Sequence, residues 1–131
     1  PALSLQLWFQ NGNGQTIPYA HVHEMAFNPS EGLRLTFTTG LQLTITGINL
    51  RQLYKDLSRQ LIRSISEIGD ELHFRTAAEE LGNGTEPLVK RIIVERGRFD
   101  PDSGTWVRQI GGHFDPQRNE WVLPMSDARL N

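Results

Sequence analysis

At Ile48 the hydrophobic period of this chain changes, and that change limits the possible folds more than any other feature. Upstream, "LRLTF" sets Leu33, Leu35 and Phe37 on one side and Arg34 and Thr36 on the other, and "LQLTIT" repeats the pattern with Leu41, Leu43 and Ile45. A period of two is that of a strand with one face buried. The "TTG" between the runs is short enough to force an antiparallel hairpin. Downstream, in "INLRQLYKDLSRQLI", the apolar positions Leu50, Leu53, Tyr54, Leu57 and Leu61 form one helical stripe. Its start is well marked: Asn49 is the natural N-cap, Gln52 can close a capping box, and Ile48 with Leu53 makes a hydrophobic staple. A helix over 49–63 follows.

The flanks extend this frame. "LSLQLWFQ" alternates Leu3, Leu5, Leu7 and Phe9 against polar residues and Trp8, "NGNG" turns the chain, and "YAHVHEMAF" reads as a second strand. "RSISEI" returns to the sheet. Residues 69–87, "GDELHFRTAAEELGNGTEP", read as an acidic, partly mobile connection, with a short helix as the alternative and Leu72, Ala77, Ala78 and Leu81 inward if it forms. Conformational variability is expected within 78–87. From Leu88 the pattern is β again, in a C-terminal three-stranded meander. The expected architecture is α+β: one domain over 1–131, a curled antiparallel sheet of about six to eight strands, and the 49–63 helix packed on it.

Near the end the chain nearly repeats itself, as "GRFDPDSGTWV" at 97–107 and "GHFDPQRNEWV" at 112–122. In each copy Asp before Pro favours a type I turn, and Gly104 or Asn119 tolerates the left-handed conformation that closes the loop. Phe99 then lies near Trp106, and Phe114 near Trp121, across a hairpin. "FNPSEGLR" at 27–34 carries the same skeleton with Arg34 in place of Trp, so the shared part is the turn. The aromatic-Asp-Pro-to-Trp spacing resembles the end of a kelch propeller blade over about ten residues per copy. The copies lie fifteen residues apart, where a kelch blade needs ~50, so no propeller is implied. As a ligand platform, Trp106 and Trp121 are the secondary reading.

Candidate chemistry is sparse. His21 and His23 in "HVHE" sit on one face of the expected strand and offer two imidazoles to a metal, which His73 or His113 would have to complete. The stretch is similar to the metal-binding H-x-H of cupins, but Glu24 and Glu31 fall at the wrong spacing for that family's Glu ligand. No metal and no cofactor is assigned. Ser64 and Ser66 have no base nearby in sequence, "GNGT" and "NGNG" lack the surroundings of a phosphate loop, and Asp100 and Asp115 are explained as turn residues. No catalytic residue is assigned, and a non-enzyme is the favoured reading.

Charge is the most informative feature for function. Residues 49–63 carry Arg51, Lys55, Arg59 and Arg63 against Asp56, net +3, and residues 66–86 carry six acids against Arg75, net −5. The four cations recur every four residues, one slanted row on a helix. The expected function is a non-catalytic, self-associating, intracellular protein-interaction module, with this row facing the acidic segment or an acidic partner. The alternatives are a nucleic-acid binder using the row and a small metal-dependent enzyme or sensor using His21 and His23. A pI near 6.1 disfavours general nucleic-acid affinity. With no cysteine, no secretory signal and no apolar membrane-length run, the expected setting is the cytoplasm without membrane attachment; Pro1 fits removal of an initiator Met.

Overall fold

The computed structural model describes residues 1–82, 84 and 86–108 and, as backbone strands, 113–115 and 120–122. In chain order the elements are β1 (Ser4–Trp8), β2 (Gly14–Pro18), a 3-10 turn (Tyr19–His21), β3 (Val22–Asn28), β4 (Gly32–Phe37), β5 (Leu41–Ile48), α1 (Leu50–Ser58), β6 (Ser64–Ser66), α2 (Glu71–Leu81), β7 (Leu88–Phe99), β8 (Trp106–Arg108), β9 (His113–Asp115) and β10 (Glu120–Val122). Eight strands form two curled sheets, β2-β1-β6 and β3-β4-β5-β7-β8, and β9 pairs with β10. The fold is α+β, as the change of period requires.

The alternating runs place their apolar residues as expected. Leu33, Leu35, Phe37, Leu43 and Ile45 are buried on one face of the five-stranded sheet. They join Leu5, Leu7, Ile17 and Ile65 of the smaller sheet, and Leu50, Leu53 and Leu57 of α1, in one core. Burying a side chain of this size contributes roughly 1.5–3 kcal/mol, so this cluster dominates the stability of the fold. Pairing is antiparallel throughout the described strands except between β1 and β6, which run parallel. Two strand boundaries differ from the sequence reading. "GQTIP" is itself a strand paired with β1, and residues 19–21 form the 3-10 turn that carries the chain from one sheet to the other.

Helix α1 ends at Ser58, five residues before the predicted limit of 63. Gln60 adopts the left-handed conformation, φ 58°. The N–H of Gln60 donates to the Leu57 carbonyl at 3.0 Å and that of Leu61 to the Asp56 carbonyl at 2.9 Å. This is the Schellman C-terminal motif, with Gln where glycine is usual. Termination frees residues 60–63 to run beside the start of the chain: Ala2 N–H donates to the Gln60 carbonyl at 2.7 Å, Gln6 N–H to the Arg63 carbonyl at 2.8 Å, and the buried Tyr19 hydroxyl to the Ile62 carbonyl at 2.5 Å. At the other end Asn49 occupies the N-cap position, but in a left-handed conformation and without a side-chain bond to the helix. Its amide instead donates to the carbonyls of Gly84 (2.9 Å) and Glu86 (3.0 Å), while Gln52 bonds Asp56.

The two sheets are clasped beyond β6. Ile68 and Gly69 donate backbone bonds to Val89 and Lys90, extending the pairing onto β7. Glu67 closes the junction, its carboxylate accepting from Gln10 N–H (3.0 Å) on one side and Ile92 N–H (2.7 Å) on the other. The acidic segment that follows is helical over 71–81. Asp70 caps it, accepting from the N–H groups of Leu72 (2.8 Å) and His73 (3.3 Å). Phe74, Ala77, Ala78 and Leu81 are half-buried, and Lys90 of β7 lies over the Phe74 ring. Leu72, expected inward, is 68% exposed because Phe74 takes the inward place in the first turn.

Candidate functional site

The aromatic-Asx-Pro turn is built as its chemistry requires. Asp100 Oδ1 accepts from Asp102 N–H at 3.0 Å, Ser103 Oγ donates to Asp100 Oδ2 at 3.0 Å, and Gly104 closes the loop with φ +72°. Asn28 repeats the device, its Oδ1 accepting from Ser30 N–H at 2.8 Å, with Gly32 at φ +99°. In register, Phe99 stands opposite Trp106 and Phe114 opposite Trp121. The turn of the second copy, 116–119, and the side chain of Trp121 lie outside the described residues. Trp106 is an anchor: its Nε1 donates to the Gly40 carbonyl at 2.8 Å, and its indole lies against Gly97. A Cβ on Gly97 would stand 2.4 Å from the indole, so only glycine admits the ring there.

The histidine pair does not form as expected. His21 ends the 3-10 turn, and His23 follows at the β3 bulge between Val22 and Glu24, so the two are not alternate residues of one regular strand. His23 packs edge-on against Phe99, ring centroids 4.9 Å apart, and His73 lies on α2. Among the described residues no three His, Asp or Glu side chains converge as a metal site.

Arg51, Lys55, Arg59 and Arg63 are all exposed. The first two lie one turn apart on α1, Arg59 is its C-cap, and the left-handed Gln60 turns the chain so that Arg63 precedes β6 instead of extending the helical row. Among the described residues none of the four makes a side-chain ion pair; the pairs present are Glu31–Arg34, Glu71–Arg75 and Glu95–Arg108. On α2, Glu71, Glu79 and Glu80 are exposed. Each charged region also exposes one leucine, Leu61 (56%) beside Arg59 and Arg63, and Leu72 (68%) beside Asp70 and Glu71.

Away from the core, the opposite face of the larger sheet forms a groove of about 430 Å³. Thr36 of β4 and Gln42 of β5, paired in register, lie in it; the rings of Phe99, Trp106 and His23 and the charged side chains of Glu24 and Arg34 complete it. Thr36 and Gln42 are 7% and 9% exposed, and Gln42 Nε2 donates to Thr36 Oγ1 at 3.2 Å. Sequence reasoning missed this group because Thr and Gln in alternation are what any solvent face of a strand shows. The signal lay in the third dimension, in the hairpin β7–β8 brought beside β3.

No helix among the described residues is long and apolar enough to cross a membrane. No family model, curated protein or solved structure matches the chain.

Proposed function

We propose that the protein is a non-catalytic interaction module that self-associates, the cations at 51–63 of one copy meeting the acidic face of α2 on another. The observation that carries this reading is that Arg51, Lys55, Arg59 and Arg63 are exposed and unpaired among the described residues, while the same fold exposes Glu71, Glu79 and Glu80. A two-fold axis makes this contact twice, α1 to α2 and α2 to α1, so the arrangement closes on itself. Exposed ion pairs contribute only about 0–1 kcal/mol each. Leu61 and Leu72 therefore supply the apolar centre that such a contact needs. The reading places the chain in the cytoplasm, which suits a sequence without cysteine.

Sedimentation velocity over a concentration series tests it. A dimer that weakens between about 0.05 M and 0.5 M salt is expected, because screening acts on charges at this exposure. A chain that stays monomeric at every concentration and ionic strength contradicts the reading. So does submicromolar, salt-sensitive binding of a labelled DNA duplex or RNA strand near ~0.15 M salt, which moves the cations to the nucleic-acid alternative.

A further inference from the structure

The groove on the outer sheet face holds a polar pair that the fold itself leaves half satisfied. Thr36 and Gln42 are both more than nine-tenths buried, yet the single bond from Gln42 Nε2 to Thr36 Oγ1 is the only side-chain hydrogen bond either makes among the described residues. The Gln42 carbonyl oxygen, its second amide hydrogen and the Thr36 hydroxyl hydrogen remain without partners there. Buried polar groups are ordinarily satisfied, and a half-satisfied pair is worse for stability than an apolar one of the same shape. What the pair does offer is an acceptor and two donors at the floor of a cavity, within the size range of small-molecule sites.

The walls narrow the ligand class. The rings of Phe99, Trp106 and His23 line the groove and present flat, weakly polar surface. Of the charges near the pair, Glu95, opposite Gln42 in register, is ion-paired with Arg108, and Arg34 pairs with Glu31 at 3.6 Å, while Glu24, opposite Thr36 in register, has no ion-pair partner among the described residues. Glu24 adds a carboxylate that can accept from hydroxyl groups. Among the described residues Arg34 is the one cation that lines the groove, short of the row of cations that follows a phosphate backbone. A sugar residue fits these walls, with adjacent hydroxyl donors and acceptors on one edge and an apolar C–H face for the rings.

We propose that this groove binds one or two residues of a neutral glycan, its hydroxyls on Thr36, Gln42 and Glu24 and its C–H face on the aromatic rings. This site is separate from the α1–α2 contact, and either can fail alone. Titration calorimetry of the full chain against maltohexaose, cellohexaose and N-acetylchitohexaose tests it. Saturable binding of at least one, with Kd below ~1 mM, is expected, since small open sites with few anchors bind weakly. The double variant Thr36→Val, Gln42→Met should weaken that binding at least ~10-fold while leaving the melting temperature unchanged or raised, because it removes both ends of the one bond together with the groups that bond leaves unsatisfied. The raised or unchanged melting temperature is the readout that separates ligand contact from a structural role. Absence of saturable binding to all three glycans, undiminished binding in the folded double variant, or tighter binding of oligothymidylate than of any glycan overturns the proposal.

Discussion

Gln60 is the residue that decides where α1 stops, and it does so in a conformation that L side chains resist. Its φ of 58° places Cβ against the following carbonyl, a cost of roughly 1–2 kcal/mol that glycine does not bear. Gln60→Gly is therefore expected to raise stability by ~0.5–1 kcal/mol, less than the full relief because glycine loosens the unfolded chain, and a denaturant midpoint measures it. Tyr19 makes the opposite case. Burial raises its phenol above the ordinary value of 10.0, so as pH climbs past that value the unfolded chain ionises first and stability falls. Tyr19→Phe should abolish that alkaline loss, and near neutrality it should cost about 1 kcal/mol through the bond to the Ile62 carbonyl. Asp70 and Asp100 titrate at the other end of the scale. The N–H groups of His73 and Leu72 hold Asp70 below its ordinary 3.8, and Asp102 N–H with the Ser103 hydroxyl holds Asp100 below the same value. Their contributions are thus present above about pH 4 and vanish as pH falls through the lowered values. Amide exchange at Leu72 and Asp102 should quicken in that window, after correction for the intrinsic acid dependence.

At the scale of elements, two junctions carry the assembly. The hairpin β7–β8 is pinned where Gly40, Gly97 and Trp106 meet, since the Gly40 carbonyl accepts from both Gly97 N–H at 2.8 Å and the indole. Trp106→Ala leaves a cavity and an emptied bond, and Gly97→Ala drives a methyl into the ring; each should lower stability by at least ~1 kcal/mol in thermal or chemical unfolding. The sheets are joined by Glu67, whose carboxylate accepts from the N–H of Gln10, in the turn after β1, and from that of Ile92 in β7. Glu67→Ala strands the partly buried Ile92 N–H and is expected to cost ~1–3 kcal/mol. Much of this scale was legible in the chain. Period two gave β4 and β5, period 3.6 gave α1, and the Asp-Pro and Asn-Pro turns gave their loops, because each of those signals is local. The end of α1 was not legible: Leu61 continues the apolar stripe, and nothing local shows that Gln60 must turn left so that 60–63 can reach β1. Glu67 counted as one more acid in an acidic block until its two distant N–H partners came into view. The groove was hidden for the same reason, because Phe99 and Trp106 come beside the Thr36–Gln42 pair only after the larger sheet curls.

For the molecule as a whole, the opposed charge blocks are the feature the fold leaves unresolved. The acidic segment becomes a helix packed on β7 through Phe74 and Lys90, and the cations at 51–63 keep no ion pair with it among the described residues. Complementary charges left unpaired within one copy can meet between two. A charge swap tests this most directly. One variant carries Arg51→Glu, Lys55→Glu, Arg59→Glu and Arg63→Glu; the other carries Glu71→Lys, Glu79→Lys and Glu80→Lys. Each alone sets like charge against like and should sediment as a monomer. Mixed in equal amounts, both contacts of the heterodimer become attractive again, and the account predicts a dimer at low salt that dissociates as salt is raised. Two variants that dimerise alone as the wild type does, or two folded monomers that fail to pair when mixed, would contradict it.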